Sequence, residues 1–343
     1  MMNENELFRV RLALVQAFLN EHGYDGILLS RADNFAMATG GKRNYIWTYG
    51  DLGANSLFVN RDGAAYFVGT TIEETRAMAE ELGPLGCESQ SFLWFEDTPA
   101  NIAKNHFQGN LVSDDGALGE NVHGKLAVIR ALLTETELEK YRRLGLLAAE
   151  AMQATLDSIE AGMPEADIAA RLVSEGIKRR CQVPVALVAA DERIAQFRHP
   201  LPTEAPLISG SLRERAVKNY VEVVGCFLRE GLVVSLTRFK QTGDLPADIS
   251  DAYDRICAVD ALMQEATVPG RTLGDVFAVC QKAYADFGFA PNEWHKHHQG
   301  GATGYAGRTC KGIPGESFPV LDTFWPDRAK ALLGQDTDFG AAF

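Results

Sequence analysis

The chain has 343 residues, of which 46% are hydrophobic, enough to form one large domain or two smaller ones with substantial cores. Its 46 acidic residues outnumber its 33 basic residues and give a formal net charge of -13. This charge balance argues against a protein that binds nucleic-acid phosphates or docks on an anionic membrane surface. We therefore expect an acidic cytoplasmic protein.

The six cysteines are scattered, without a C-x-x-C pair or zinc-ribbon spacing, which fits a reducing compartment. The opening run MMNENELFRVRL lacks the basic and apolar regions of a secretory signal. No uninterrupted apolar run reaches about 18 residues, so we expect no membrane span.

The N-terminal part of the sequence predicts a mixed α/β domain. Apolar residues spaced by three and four mark an amphipathic first helix, and an Asp-Gly pair marks a hairpin turn. The predicted elements are a helix with the stripe Phe8, Leu12, Val15 and Leu19 that ends at His22-Gly23, a strand at 26–30, hairpin strands at 55–60 and 64–69, a helix at 72–82 and a strand at 110–115.

The C-terminal part predicts long helices around a set of strands. Thr134 to Glu137 form a helix-start signal with acidic residues in the first turn. The predicted elements are a helix from there to about residue 159, a second helix within 160–180, strands within 183–190 and 217–239, and helices at 247–266 and 272–287.

The order of these signals resembles the creatinase / Xaa-Pro aminopeptidase / methionine aminopeptidase family, whose fold is called pita-bread. The matching segments are GYDGILLSRADN, LLTETELEKYR, IEAGMPEADIAARL, FRHPLPTEAPLISG, the hairpin around Gly231 with LTRF, ATVPGRTLGDVF and HHQGGATGY. The resemblance implies an α/β creatinase-type domain over residues 1–130 and an α+β pita-bread domain over 131–343. The second domain would have a curved antiparallel sheet covered by helices, without the last strands of the family's pattern. The resemblance also implies a homodimer.

The peptidases of this family hold two divalent metal ions with two Asp, one His and two Glu. The matching positions for the two Asp are Val224 and Ser235, and Gly301 stands where the His is expected. An aliphatic side chain has no donor atom for a cation, a glycine supplies no imidazole, and a neutral hydroxyl is a poor substitute for a carboxylate. We therefore predict degenerate metal positions, no bound metal and no other cofactor.

The hairpin that carries these two positions has a predicted turn near Arg229-Glu230. That turn places Val224 opposite Ser235 on neighbouring strands. It also places Glu222 opposite Thr237, so Glu222 has no acidic partner with which to replace the lost ligands.

Two histidines are predicted catalytic residues. His199 matches the family's histidine near the scissile bond, and the ordinary pKa of histidine, about 6.5, suits proton transfer. His297 matches the start of the family's Gly-rich signature, and His298 is a predicted substrate-binding residue. A loop histidine with a purely structural role, a metal cluster that includes His295, and a solvated turn remain alternatives.

Three further residues are predicted to bind substrate. Arg238 matches the Thr-Arg pair that follows the second Asp position. Arg308 replaces a second family histidine with a permanent cation, which can bind a carboxylate through two hydrogen bonds. Tyr305 closes the Gly-rich segment. Either arginine can equally be an ordinary ion-pair partner.

These observations favour a metal-independent, creatinase-like hydrolase or lyase that acts on a C–N bond of a small nitrogenous substrate. Two alternatives stay open. One is a non-catalytic pita-bread module, a pseudo-peptidase, that binds a small molecule or a short peptide. The other is an orthodox Xaa-Pro aminopeptidase-type metallopeptidase.

Overall fold

Two β-sheets, each covered by helices, organise the computed structural model. The structure describes residues 1–48, 50–204, 214–296, 300–301 and 303–321. The described α-helices are α1 (Glu4–His22), α2 (Ala32–Thr39), α3 (Thr71–Arg76), α4 (Pro99–His106), α5 (Ala127–Ala131), α6 (Glu135–Asp157), α7 (Glu165–Lys178), α8 (Arg193–Gln196), α9 (Ala247–Ala266) and α10 (Leu273–Asp286).

The N-terminal sheet has five strands in the order β4-β3-β2-β1-β5. Its strands are β1 (Gly26–Arg31), β2 (Leu52–Asn60), β3 (Ala65–Thr70), β4 (Glu88–Phe92) and β5 (Leu111–Ser113). The β1–β2 and β2–β3 pairs are antiparallel, whereas β5 and β4 pair in parallel with their neighbours. The sheet is therefore mixed, as the alternation of helices and strands predicts.

The C-terminal sheet has three antiparallel strands within the described residues, in the order β6 (Gln182–Ala190), β7 (Tyr220–Arg229) and β8 (Leu232–Gln241). Helices α6 and α7 contact this sheet, and α9 packs against α10. One large cluster of buried hydrophobic residues includes Phe35 from the N-terminal part and Phe227 from β7. The boundary between residues 130 and 131 stays a prediction.

Local sequence signals explain where the longest helices begin and end. Asn3 and Glu6 form a capping box at the start of α1, and Gly23 ends this helix in the left-handed conformation (φ 68°). Thr134 and Glu137 form the equivalent box on α6. These two pairs satisfy backbone N–H groups that a helix start otherwise leaves without acceptors.

The predicted elements are confirmed in the described part of the chain, with two adjustments. The predicted helix 72–82 consists of α3 followed by a π-helical turn at Ala77–Glu81. The predicted strand 110–115 is the shorter β5. None of the described helices is both long enough and apolar enough to span a membrane.

Candidate active site on the open face of the C-terminal sheet

The two faces of the β7–β8 hairpin have different environments. Val221, Val223 and Phe227 are buried on one face, which packs against the helices. On the same side, a Cβ added to Gly225 would lie 3.2 Å from Leu172 of α7. The alternate residues of β7 point to the other face, because successive strand residues alternate. We call this second face, from Glu222 to Leu228 on β7 with its partners on β6 and β8, the open face.

The hairpin register differs from the prediction. Arg229 pairs with Leu232, so the turn consists of Glu230 and Gly231. Both turn residues have positive φ, 50° and 74°, which is typical of the type I′ turn that matches the twist of a two-stranded ribbon. The turn is centred one residue further along the chain than we predicted, which shifts the cross-strand pairing by two residues.

This register corrects the predicted cross-strand pairs. Val224 lies opposite Thr237, and Ser235 lies opposite Cys226, so Val224 and Ser235 are diagonal neighbours on the open face. Glu222 lies opposite Phe239 and not opposite Thr237.

The centre of the open face carries apolar and neutral polar groups. Leu187 on β6 lies opposite Val224, and Val185 lies opposite Cys226. The Cys226 sulfur and the Ser235 hydroxyl oxygen are 3.2 Å apart. These side chains form a largely aliphatic floor with hydroxyl and thiol groups near its edge.

Gly301 cannot carry a side chain in its present conformation. Its φ is 118°, and an added Cβ would lie 1.9 Å from the carbonyl oxygen of Cys310. Real Cβ atoms do not approach backbone oxygen this closely, so an imidazole at residue 301 requires the backbone to move.

The three degenerate positions therefore do not fit a dinuclear metal centre. Val224 offers no donor atom, Ser235 offers a neutral hydroxyl, and the backbone around Gly301 excludes a ligand side chain. Within the residues that the structure describes, no group of three or more His, Cys, Asp or Glu side chains has the arrangement of a metal site.

The loop that carries His199 runs along the outer edge of β6. The carbonyl oxygen of Pro200 accepts a hydrogen bond from the Val188 N–H at 3.2 Å. Arg198 donates to Glu293. The His199 side chain is solvent-exposed. The edge of the sheet thus holds the backbone that follows His199, the side chain of Arg198 bonds to Glu293, and the imidazole stays accessible.

Glu222 carries a carboxyl on the open face. From its place in the sequence we consider it only as a replacement metal ligand, without a catalytic role. Its side chain is half-buried, and this burial raises the pKa of the Glu222 carboxyl above its ordinary value, although the positive charge of Arg198 opposes the shift. A carboxyl with a raised pKa is a candidate for proton transfer. Its position two residues before Val224 on a strand was the available sequence signal.

Arg238 does not lie on the open face. It pairs with Val223, and directly paired residues on neighbouring strands share a face, so Arg238 belongs to the helix-covered side. Its guanidinium donates to the carbonyl of Thr237 at 2.8 Å. Arg238 thus lies on the other face from Val224 and Ser235, and its role in binding substrate stays a prediction.

Tyr305, a predicted substrate-binding residue, is buried in a cluster with Arg11 and Glu137. It is 2% exposed, and its hydroxyl donates to the Glu137 carboxylate. Arg11 donates to the same carboxylate at 2.5 and 2.7 Å, and its guanidinium lies 5.1 Å from the Tyr305 ring centroid. Burial is the main cause that raises the pKa of Tyr305, so its phenol stays protonated. This buried triad joins α1, α6 and the loop at residue 305.

Arg308 remains compatible with its predicted role. Its side chain is exposed and lies beside Gly301, with its Cγ 2.8 Å from the position of an added Gly301 Cβ. The nearby Gly304 carbonyl accepts from the Val233 N–H at 2.8 Å, so this loop runs along β8. His297 and His298 lie outside the described residues.

Comparisons with solved structures identify the fold. Dipeptidase PepE from Mycobacterium ulcerans superposes with a TM-score of 0.70 at 18% identity, over 94% of this chain and 88% of that one. The prolidase from Pyrococcus horikoshii OT3 gives a TM-score of 0.71 at 14% identity, over 92% and 88% of the two chains. The chain has the pita-bread fold of the prolidases.

The same fold also occurs in a protein that is described as a subunit of a larger complex. The N-terminal domain of the FACT complex subunit SPT16 from chickpea (Cicer arietinum) has a TM-score of 0.61 at 8% identity, over 94% of this chain and 87% of that one. No protein-family model and no curated protein sequence matches the chain. At these identities the comparisons show the fold and not the activity.

Proposed function

We propose that the protein is a metal-independent hydrolase or lyase that acts on a C–N bond of a small nitrogenous substrate. One observation carries the proposal. The three positions that match metal ligands hold Val224, Ser235 and a glycine without room for a side chain, whereas the carboxyl of Glu222 stays on the same face and the loop of His199 runs along the edge strand β6. The prolidase fold of the chain supports a hydrolase.

His199 and Glu222 are the proposed proton-transfer residues. Hydrolysis of a C–N bond places the hydroxyl group of water on carbon and its proton on the departing nitrogen. An exposed imidazole can take the first proton and return it to nitrogen. A half-buried carboxyl with a raised pKa can stay protonated closer to neutral pH than an ordinary glutamic acid. Arg308 is proposed to orient an anionic group of the substrate.

The proposed ligand is a small molecule or a short peptide, and the proposed location is the cytoplasm. The net charge of -13 supports the exclusion of nucleic acid and of anionic membrane surfaces as partners. The aliphatic floor around Val224 and Leu187 supports a ligand with an apolar portion.

The first experiment measures turnover in the full chain. Creatine is the first probe, with urea release as the readout, followed by other guanidino compounds and by Pro-containing dipeptides. For the compound with the highest turnover, His199→Ala is expected to lower kcat by at least about 100-fold, the usual size of a general acid–base contribution. Glu222→Gln is expected to change the pH profile of kcat/KM.

The matched control is His106→Ala, which removes an exposed histidine at the end of α4. It should leave turnover unchanged. Turnover that survives in His199→Ala, or that requires added Mn²⁺, Co²⁺ or Zn²⁺, contradicts the proposal, and the second result supports the orthodox metallopeptidase.

The second candidate function is a non-catalytic binding module. The apolar residue at 224 and the match to a FACT complex subunit favour it. A thermal-shift screen with the same compounds separates the two functions. Saturable stabilisation without turnover supports the binding module, whereas turnover that His199→Ala abolishes rules it out.

A further inference from the structure

A cavity lies at the tip of the β7–β8 hairpin, between that tip and the N-terminal part of the chain. Its volume is about 380 Å³, within the range of small-ligand pockets, which often form between domains. A hydrogen bond of 3.0 Å from the Tyr45 hydroxyl to the Gln182 side chain connects its two walls. Leu228, which borders the cavity, is four residues from Val224 along β7, a distance of roughly 13 Å.

The wall from the C-terminal part of the chain is positively charged. Lys140, Arg180 and Arg229 contribute three cations to it, and Glu230 contributes the one carboxylate. This local excess of two positive charges stands out in a protein whose net charge is -13.

The opposite wall has the reverse balance and is largely neutralised internally. Lys42 pairs with Glu4 at 2.8 Å, and Arg43 pairs with Glu81 at 2.9 Å, while Glu80 adds one more carboxylate. These ion pairs stay within the N-terminal wall. Glu80 leaves the N-terminal wall with one negative charge, so the cavity as a whole carries an excess of one positive charge, concentrated on the C-terminal wall.

Two guanidinium groups on the positive wall have donors to spare. Glu230 accepts from Lys140 at 2.9 Å and from Arg229 at 3.3 Å, so one carboxylate serves two cations. Arg229 uses its Nε for that contact, which leaves its two Nη groups for a ligand. The guanidinium of Arg180 has no hydrogen-bond or ion-pair partner among the residues that the structure describes.

The backbone at this wall has the left-handed conformation that favours glycine. Arg180 has φ 65° and Glu230 has φ 50°. Turn geometry alone favours glycine or asparagine at such positions. The charged side chains at both positions, each facing the cavity, fit the rule that unfavourable backbone conformations concentrate at ligand sites.

We propose that this cavity binds a small dianion, a dicarboxylate or a phosphate, which Arg180 and Arg229 hold by charge-assisted hydrogen bonds. The planar guanidinium matches the paired oxygens of both kinds of anion. The two excess positive charges of the C-terminal wall attract the dianion to that side of the cavity. The site is independent of the proposed C–N hydrolysis, and its occupation stabilises the packing of the hairpin tip against the N-terminal part.

Isothermal titration of the full chain with malonate and with inorganic phosphate tests this site, at an ionic strength held constant with NaCl. We expect saturable binding with one site per chain. Arg180→Gln and Arg229→Gln should each weaken binding by roughly tenfold, and the double variant should show no measurable binding. Tighter binding of malonate assigns the site to organic acids, and tighter binding of phosphate assigns it to phosphate compounds.

The controls separate a lost contact from a lost fold. Arg142→Gln removes an arginine on α6 that pairs with Glu135 and Glu139, and should bind like the native protein. Arg180→Gly removes the charge and suits the local φ, so it should lose affinity while its Tm does not fall. The proposal is overturned if neither anion binds saturably, if the double variant keeps its affinity, or if glycine, a zwitterion, binds more tightly than malonate.

Discussion

Asp114 shows how far a single buried carboxyl depends on its surroundings. It is fully buried and accepts hydrogen bonds from the Ser30 N–H at 2.8 Å, the Arg31 N–H at 3.1 Å and the Asn34 amide at 2.9 Å. Burial nevertheless dominates and raises the pKa of Asp114 from 3.8 to about 6. The folded protein therefore binds this proton more strongly than the unfolded chain does.

This raised pKa predicts a pH-dependent stability. Between pH 4 and 6 the unfolded chain ionises Asp114 while the folded protein keeps it protonated, so the free energy of unfolding falls as the pH rises. The loss contributed by this group is about 3 kcal/mol and is complete above the folded pKa. Urea unfolding from pH 4 to 7 should show this decrease in the free energy of unfolding for the native protein. For Asp114→Asn the decrease over the same pH range should be smaller by about 3 kcal/mol. Asp115→Asn is the neighbouring control, and an equal slope in the native protein and Asp114→Asn would contradict the assignment.

At the scale of single residues, the sequence shows which chemical groups are present more reliably than it shows where their side chains point. The prediction for Arg238 rests on its charge and on its place after the second Asp position, but the face on which a strand residue lies depends on the register of the strand. The prediction for Tyr305 rests on its place after a Gly-rich run. In the structure its hydroxyl donates to Glu137 and its ring contacts Arg11, both more than 150 residues away in sequence. Contacts of that range depend on tertiary packing, which a single sequence does not display.

At the scale of elements, the loop that contains Gly301 gives a sharp prediction. Gly301→Ala should destabilise the protein by at least about 2 kcal/mol, because the new Cβ overlaps the Cys310 carbonyl and the positive φ disfavours alanine. Gly145→Ala in the interior of α6 is the matched control, since an added Cβ there meets no atom within 4 Å. It should stabilise the protein by about 0.5–1 kcal/mol. Thermal or urea unfolding that gives the same sign for both variants would refute this account of the loop.

Long helices were predictable because their signals are local. The stripe and caps of α1 and the capping box of α6 each lie within a few residues. The strand β4 was missed because its sequence, ESQSF, is mostly polar and half-exposed at the edge of the sheet. The hairpin register was wrong because it depends on a turn type, with two residues at positive φ, that Glu-Gly does not announce as clearly as Asn-Gly does.

At the scale of the whole molecule, one end of the N-terminal sheet presents large apolar side chains to solvent. Ile46 and Trp94 are 65% exposed, as is Phe95, and Trp47 is 50% exposed. The strand register brings the start of β2 and the ends of β3 and β4 to this end of the sheet. Exposed apolar groups of this size, concentrated in two neighbouring loops, mark interaction surfaces.

We expect a second copy of the chain to cover this surface in a two-fold dimer, the commonest form of self-association. Light scattering should give the mass of a dimer for the native protein and that of a monomer for the double variant Trp94→Asp, Phe95→Asp. Ile177→Asp, at a comparably exposed position on α7, is the control and should stay dimeric. A monomeric native protein, or an unchanged dimer in the double variant, would remove this expectation.

The overall architecture followed from the ordered set of motifs, since many weak signals in one order constrain a fold more than any single one does. The site did not follow in the same way. Loss of the metal ligands was readable from three residue identities, whereas the spatial relation of Val224, Ser235, Glu222 and His199 required the register of β6, β7 and β8.

The tip of the β7–β8 hairpin is wedged in place from two sides. An added Cβ on Gly231 would lie 2.5 Å from Ala36, and one on Gly41 would lie 2.4 Å from the Glu230 carbonyl oxygen. The turn of the hairpin is therefore packed tightly against the N-terminal part of the chain. When a ligand binds to the open face, we expect the sheet to adjust at its opposite end, where Glu222 pairs with Phe239.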